Sequence, residues 1–284
     1  MKVFSYDSAG NKSLVNYDSF TFSGGEEHVR FDQIDYSESV KIEIFERLTH
    51  SSKLVKLMMA VDALKRLSFN NVPIELVIPY FPYARQDRVC VEGEALGASV
   101  MANFINSLGF TKVTIWDAHS DVSPALINNV VNVPQIDLLK RCEELCKRLA
   151  TGELILVSPD AGASKKTLKI AEQFNGEPEV IQAQKQRNLK TGEILKTEII
   201  GNVNNNNVLI VDDICDGGRT FIELAKVLKN NGANEVSLFI THGIFSKGFD
   251  VFDGLIDAIY TTDSFRAKHE FINNNKTKLQ VIEM

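Results

Sequence analysis

Along residues 53–67 apolar side chains recur at Leu54, Leu57, Met58, Val61 and Leu64, a spacing that lines one face of a helix. The short apolar run at 74–78 stops at Pro79 and predicts a buried strand. Helical spacing returns over 96–108, is closed by Gly109, and gives way to a strand at 113–116. The second half keeps the same rhythm, with strands at 154–157, 208–211 and 236–240 and helices at 164–174 and 221–229. Helices alternating with strands imply parallel sheets covered on both faces, so the expected class is α/β.

With 284 residues and 44% hydrophobic content, the chain is expected to form two domains of ordinary size. Asn128, Asn129 and Pro134 carry loop signals just ahead of a helical stretch at 138–149. They set the expected domains at 1–135 and 136–284. The run of asparagines at 204–207, directly before an apolar strand, reads as a solvated turn.

A net charge of -6 argues against nucleic acid or an anionic membrane as the main partner. Residues 1–7 lack the basic segment and apolar core of a secretory signal, and no apolar run reaches membrane-spanning length. Cys90, Cys142, Cys146 and Cys215 are scattered, with Cys142 and Cys146 four apart in a helical pattern, and read as reduced thiols. A cytoplasmic protein is expected.

The chemistry concentrates at 208–220, where an apolar strand runs into Asp212 and Asp213, then Asp216, Gly217, Gly218, Arg219 and Thr220. Glycines let backbone N–H groups approach a phosphate at the positive end of the following helix, which Thr220 is placed to cap. Carboxylates at a strand end can hold sugar hydroxyls or Mg2+. An ordinary acidic strand-to-helix turn accounts for each feature singly but poorly for the combination.

This segment resembles the fingerprint shared by phosphoribosyltransferases and ribose-phosphate pyrophosphokinases. The resemblance implies that Asp212 and Asp213 bind ribose hydroxyls while 216–220 wrap a 5-phosphate. The chain departs from the usual Asp-Thr-small-Gly-Thr loop: Gly217 stands in place of a hydroxyl residue and Arg219 in place of Gly. Arg219 offers a charge-assisted phosphate contact in return.

The first half resembles the second of those families more specifically. Residues 79–88, with Tyr80, Phe81, Tyr83, Arg85, Gln86, Asp87 and Arg88, are similar to its nucleotide-binding signature. Aromatics can stack on adenine, Gln can read its edge, and Arg can neutralise polyphosphate. Asp117-Ala118-His119-Ser120 resembles an element whose His helps hold Mg2+ and ATP. Residues 158–163 resemble a turn whose acid, here Asp160, lies by the second Mg2+; Lys165 and Lys166 follow it as a basic pair or as an ordinary solvated helix start. Lys185 and Arg187, flanking Gln186, correspond to a flexible catalytic loop whose cations meet developing charge on closure. The segment from Phe22 to Glu26, with Gly24 in place of an acid, resembles an element that reaches a neighbouring subunit's ATP site. Thr241-His242-Gly243 resembles a strand-end motif of structural character.

The resemblance covers about 22–279, and both ends look shorter than the family pattern. It implies two tandem phosphoribosyltransferase-like domains, each a mostly parallel sheet flanked by helices. It also implies transfer of the β,γ-diphosphoryl group of Mg-ATP to the 1-hydroxyl of ribose 5-phosphate, in a dimer or hexamer with shared ATP sites. Arg85, Gln86, Asp87, Arg88, His119, Phe22 and Glu26 would then serve ATP, His119 and Asp160 the metal, and Lys185, Arg187 and His119 catalysis. Two alternatives stay open: a catalytically silent relative that binds nucleotide, and a phosphoribosyltransferase.

Overall fold

The computed structural model describes residues 1–32, 38–68, 71–176, 178–187, 194–273 and 276–284, with backbone only at 185–187 and 194–197. They divide into two compact units, Met1–Val133 and Pro134–Met284. No helix among the described residues is long and apolar enough to cross a membrane.

In the first unit the elements are β1 (Lys2–Asp7), β2 (Lys12–Leu14), β3 (Tyr17–Thr21), β4 (Glu27–Phe31), β5 (Ser39–Phe45), α1 (Ser51–Leu67), β6 (Ile74–Ile78), α2 (Gly97–Ser107), β7 (Lys112–Trp116), α3 (Val122–Leu126) and β8 (Val130–Val133). Strands β5, β6, β7 and β8 run parallel, and β1 and β2 extend the sheet antiparallel beyond β5. Strands β3 and β4 form a separate hairpin. Leu57, Ala60, Val61 and Leu64 form the buried stripe of α1 and share one core with Ile42, Ile44, Leu76 and Ile115 of the sheet. The predicted strand at 74–78 coincides with β6. The antiparallel strands before residue 45 were not foreseen, because β1 buries only Val3 and β2 nothing, so neither shows a clean period-two pattern.

In the second unit follow α4 (Gln135–Leu139), α5 (Glu143–Ala150), β9 (Leu154–Ser158), α6 (Ala161–Ala171), β10 (Val180–Arg187), β11 (Ile194–Ile200), β12 (Asn207–Cys215), α7 (Arg219–Asn230), β13 (Glu235–Gly243), β14 (Ala258–Thr262) and β15 (Lys278–Ile282). The sheet order is β11-β10-β9-β12-β13-β14-β15, parallel except for the β10–β11 pair. The α/β class with mostly parallel sheets is borne out. From β9 the chain crosses through α6 to β10 on one side, and from β12 through α7 to β13 on the other. Strand order therefore reverses between the neighbours β9 and β12, where open α/β sheets leave a crevice beyond their carboxyl ends.

Three expectations are corrected here. The helical stretch at 138–149 is two helices, because Cys142 is extended (φ -98°, ψ 95°) and restarts the helix as the N-cap of α5. Helix α6 begins three residues ahead of the expected 164, because Asp160 caps it, accepting a hydrogen bond from Ala163 N–H at 3.1 Å. Lys185, Gln186 and Arg187, read as loop, are backbone of β10 paired with β11, where antiparallel pairing outweighs their polarity.

Candidate functional site

At the reversal point, Asp212 and Asp213 lie near the carboxyl end of β12, and Asp160 follows β9. Gln135, only 4% exposed, donates from Nε2 to the Asp212 carbonyl at 2.7 Å and to Thr241 Oγ1 at 3.1 Å, tying α4 to β12 and β13. The Asp213 N–H donates to Asp212 Oδ1 at 2.9 Å. Burial pushes the Asp212 carboxyl well above the ordinary carboxylate range, and the charges of Asp213 and Asp160 add to the shift. Ionising all three carboxyls together is therefore disfavoured, and a cation beside them would offset that cost. Lys166, one turn into α6, brings Nζ to 4.0 Å from Asp213 Oδ2, so of the expected basic pair Lys166 is the one that meets the acids.

Past Cys215 the loop turns sharply into α7. Gly218 has φ 77°, and a Cβ there would lie 2.6 Å from Phe252 Cζ, so both backbone and space demand glycine. Gly218, not Thr220, is the N-cap; Thr220 stands inside the first turn, which corrects the expected cap. The Gly218 N-cap has no side chain to offer the helix start, and Phe221 and Ile222 N–H turn back onto the Gly218 carbonyl, so Arg219 and Thr220 carry the N–H groups nearest an anion at the positive end of the dipole. The helix itself follows from Phe221, Leu224, Ala225 and Leu228, which bury one face.

Behind the loop runs 244–248, a support that pattern reading missed. Ile244 and Phe245 N–H both donate to the Cys215 carbonyl, at 2.9 and 3.1 Å, and Ser246 N–H donates to that of Asp216 at 3.1 Å. Phe245 is 3% exposed and held at φ 45°, a strained conformation for an aromatic residue, with its ring against Phe249 and Phe252. Only the spacing of Phe245, Phe249 and Phe252 hinted at a packed cluster. Burial, then Asp212 and Asp216, raises the Cys215 thiol, so it stays protonated. His242 is buried with Nδ1 2.9 Å from Ser264 Oγ, in keeping with a structural role.

In the first unit, the loops after the adjacent parallel strands β6 and β7 lie side by side, joined by a hydrogen bond from Trp116 N–H to the Pro79 carbonyl at 3.0 Å. Phe81 and Ala84 sink into the core, so Phe81 serves packing and not stacking; Tyr83, Arg85, Gln86 and Arg88 are exposed and Asp87 half-buried. Tyr83 sits at φ 61° and Asp117 at φ 39°, two strained residues in these two loops. Gln86 accepts from Ala98 N–H through its carbonyl at 3.1 Å, and its side chain lies against Gly97 where any Cβ would collide with it. Asp117 is 2% exposed and holds its N–H on the Val133 carbonyl at 2.7 Å, which leaves the next-but-one residue, His119, exposed.

Residues 22–26 form the tip of the β3–β4 hairpin, closed by Phe22 N–H to the Glu26 carbonyl and Gly25 N–H to that of Phe22, both 2.8 Å. Phe20 and Phe22 are about half exposed and pack with His28 on that surface. The side chains of Lys185 and Arg187 lie outside the described residues.

No group of three or more His, Cys, Asp or Glu residues forms a metal cage among the described residues. In the second unit, Asp160 and the acids of β12 present carboxylate oxygens, which suit a hard cation. Mg2+ is commonly held by one or two carboxylates together with substrate phosphates, so this donor set fits it.

Residues 8–109 match the N-terminal domain of ribose phosphate pyrophosphokinase, and residues 136–249 match the phosphoribosyl transferase domain. The chain is 32% identical over 238 residues to a ribose-phosphate pyrophosphokinase of Mycoplasmopsis pulmonis, covering 82% of this chain and 71% of that one. A Thermotoga maritima protein of the same name is 30% identical over 281 residues, covering 96% and 85%. The fold matches the crystal structure of phosphoribosylpyrophosphate synthetase from Mycobacterium smegmatis, with TM-score 0.77 and 22% identity over 95% of this chain and 87% of that one. Two matched domains in tandem and relatives aligned across most of their length place the chain in the ribose-phosphate pyrophosphokinase family.

Proposed function

We propose that the protein is a ribose-phosphate pyrophosphokinase: the ribose 1-oxygen attacks the β-phosphorus of ATP, the α–β bridging P–O bond breaks, and AMP leaves. The products are 5-phosphoribosyl 1-pyrophosphate, AMP and the proton of the 1-hydroxyl. The observation that carries this reading is the acid pair Asp212 and Asp213 running directly into an uncapped helix N-terminus at the strand-order reversal, which suits a phosphorylated sugar. Asp212 and Asp213 orient the ribose hydroxyls; Asp216, Gly217, Gly218, Arg219 and Thr220 hold the 5-phosphate. Arg85, Gln86, Asp87 and Arg88 hold ATP with His119, and the exposed hairpin carrying Phe22 and Glu26 completes that site in a neighbouring subunit. His119 would help hold one Mg2+ with ATP and Asp160 would lie by a second; Mg2+ supplies charge neutralisation on the phosphates. Lys185 and Arg187 stabilise charge that develops in the transition state.

A phosphoribosyltransferase consuming the product would not need the Arg85 to Arg88 element. The test is incubation with ATP, Mg2+ and ribose 5-phosphate, following nucleotide and sugar products together. AMP appearing in step with 5-phosphoribosyl 1-pyrophosphate is expected. Sugar-dependent ADP would overturn the reaction, and binding without turnover would identify a silent relative.

A further inference from the structure

We infer that Lys247 is a phosphate-binding residue of the loop at 216–220, supplying a cation beside Gly217. This rests on the reading of that loop as the ribose 5-phosphate site. A Cβ placed on Gly217 would meet Lys247 Cγ at 3.6 Å and Ser246 Oγ at 3.9 Å, ordinary contact distances, so the Lys247 stem lies along this glycine. The backbone there is tied down: Ser246 N–H donates to the Asp216 carbonyl at 3.1 Å, and Gly248 N–H closes a turn on the Phe245 carbonyl at 2.9 Å. Lys247 is exposed and has no hydrogen bond or ion pair with any described residue.

The Lys247 stem passes beside Gly217, one residue ahead of the helix start, and an ammonium reaching that positive helix end is favoured only with an anion between them. Its aliphatic stem covers the glycine while the charged end is left to meet a ligand. Gly217 is also the position where this loop carries no hydroxyl, so the cation stands where a neutral hydrogen-bond donor is absent. Together with Arg219, Lys247 brings two positive charges to the ligand end of α7, matching a phosphate dianion better than a neutral sugar.

Calorimetric titration with ribose 5-phosphate, and with unphosphorylated ribose as the control, tests this on the full chain, Lys247→Met and Lys247→Arg. Lys247→Met should bind ribose 5-phosphate roughly 10- to 100-fold more weakly, the effect of losing a charged hydrogen bond. Lys247→Arg should restore binding to within a few-fold, and the salt dependence of affinity should be shallower in Lys247→Met alone. The ligand-free melting temperature should be unchanged. Equal affinity in Lys247→Met overturns the role of Lys247 and leaves the reading of the loop intact. Failure of the unaltered protein to bind ribose 5-phosphate overturns both. A lowered ligand-free melting temperature accompanying weak binding would make Lys247 structural and overturn the proposal.

Discussion

The ring of Phe252 lies directly beneath Gly218, so that a single added methyl at Gly218 would come within 2.6 Å of Cζ. Gly217 next to it has open contacts no closer than 3.6 Å. Gly218→Ala must therefore strain both a left-handed backbone and the phenylalanine cluster, at a combined cost of about 2–4 kcal/mol. Gly217→Ala should fold with near-parent stability. Urea denaturation of both variants checks this; equal midpoints would show that the ring moves aside freely.

Asp212 makes stability depend on pH in a defined direction. Its folded-state carboxyl is raised above the unfolded one, so its favourable contribution is complete below the ordinary carboxylate value of about 3.9 and is lost as pH rises through the folded value. Asp212→Asn removes that loss. The variant should gain stability relative to the parent as pH rises through this window, while saturation by ribose 5-phosphate disappears. Denaturation midpoints of both proteins measured from pH 4.5 to 8 would decide it, since a constant difference across that range contradicts the assignment.

At the amino end of the second sheet, remote from the acids of β12, Arg148 donates to both Glu235 oxygens at 2.9 and 2.7 Å and to Glu153 at 2.7 Å. The Arg148 side chain lowers the Glu235 carboxyl below its usual range, so the pair stabilises above the ordinary carboxylate value and weakens as pH falls through the folded one. Glu235→Gln should cost about 1.5–3 kcal/mol at neutral pH, the range for charged hydrogen bonds, and less in acid. The kinetic constants of the folded enzyme should stay at parent values. A drop in kcat with unchanged stability would reverse the assignment.

Lys185 and Arg187 are assigned to the transition state, so Lys185→Ala and Arg187→Ala should each lower kcat by about 10²- to 10³-fold with little change in KM. If the two act as a unit, the double variant falls by less than the product. Gln186→Ala serves as the control in steady-state kinetics. A rise in KM alone, or equal damage from Gln186→Ala, removes the two cations from that role.

The alternation of helices and strands, the α/β class and the family-like segments around Arg85, His119, Asp160 and Asp212 are all legible in the order of residues along the chain. These are local quantities: an apolar stripe such as Leu57, Val61 and Leu64 repeats within one helix, and a phosphate loop is a contiguous string. The antiparallel edge of the first sheet escaped because its strands are barely buried and carry no strong period. The side chains that support the loop come together through folding. Gln135 reaches the Asp212 carbonyl from 77 residues away, Lys166 approaches Asp213 from another helix, and Phe252 sets the space over Gly218. Such contacts depend on packing between distant segments, and the raised Asp212 carboxyl depends on the burial that packing creates, which no spacing along the chain encodes.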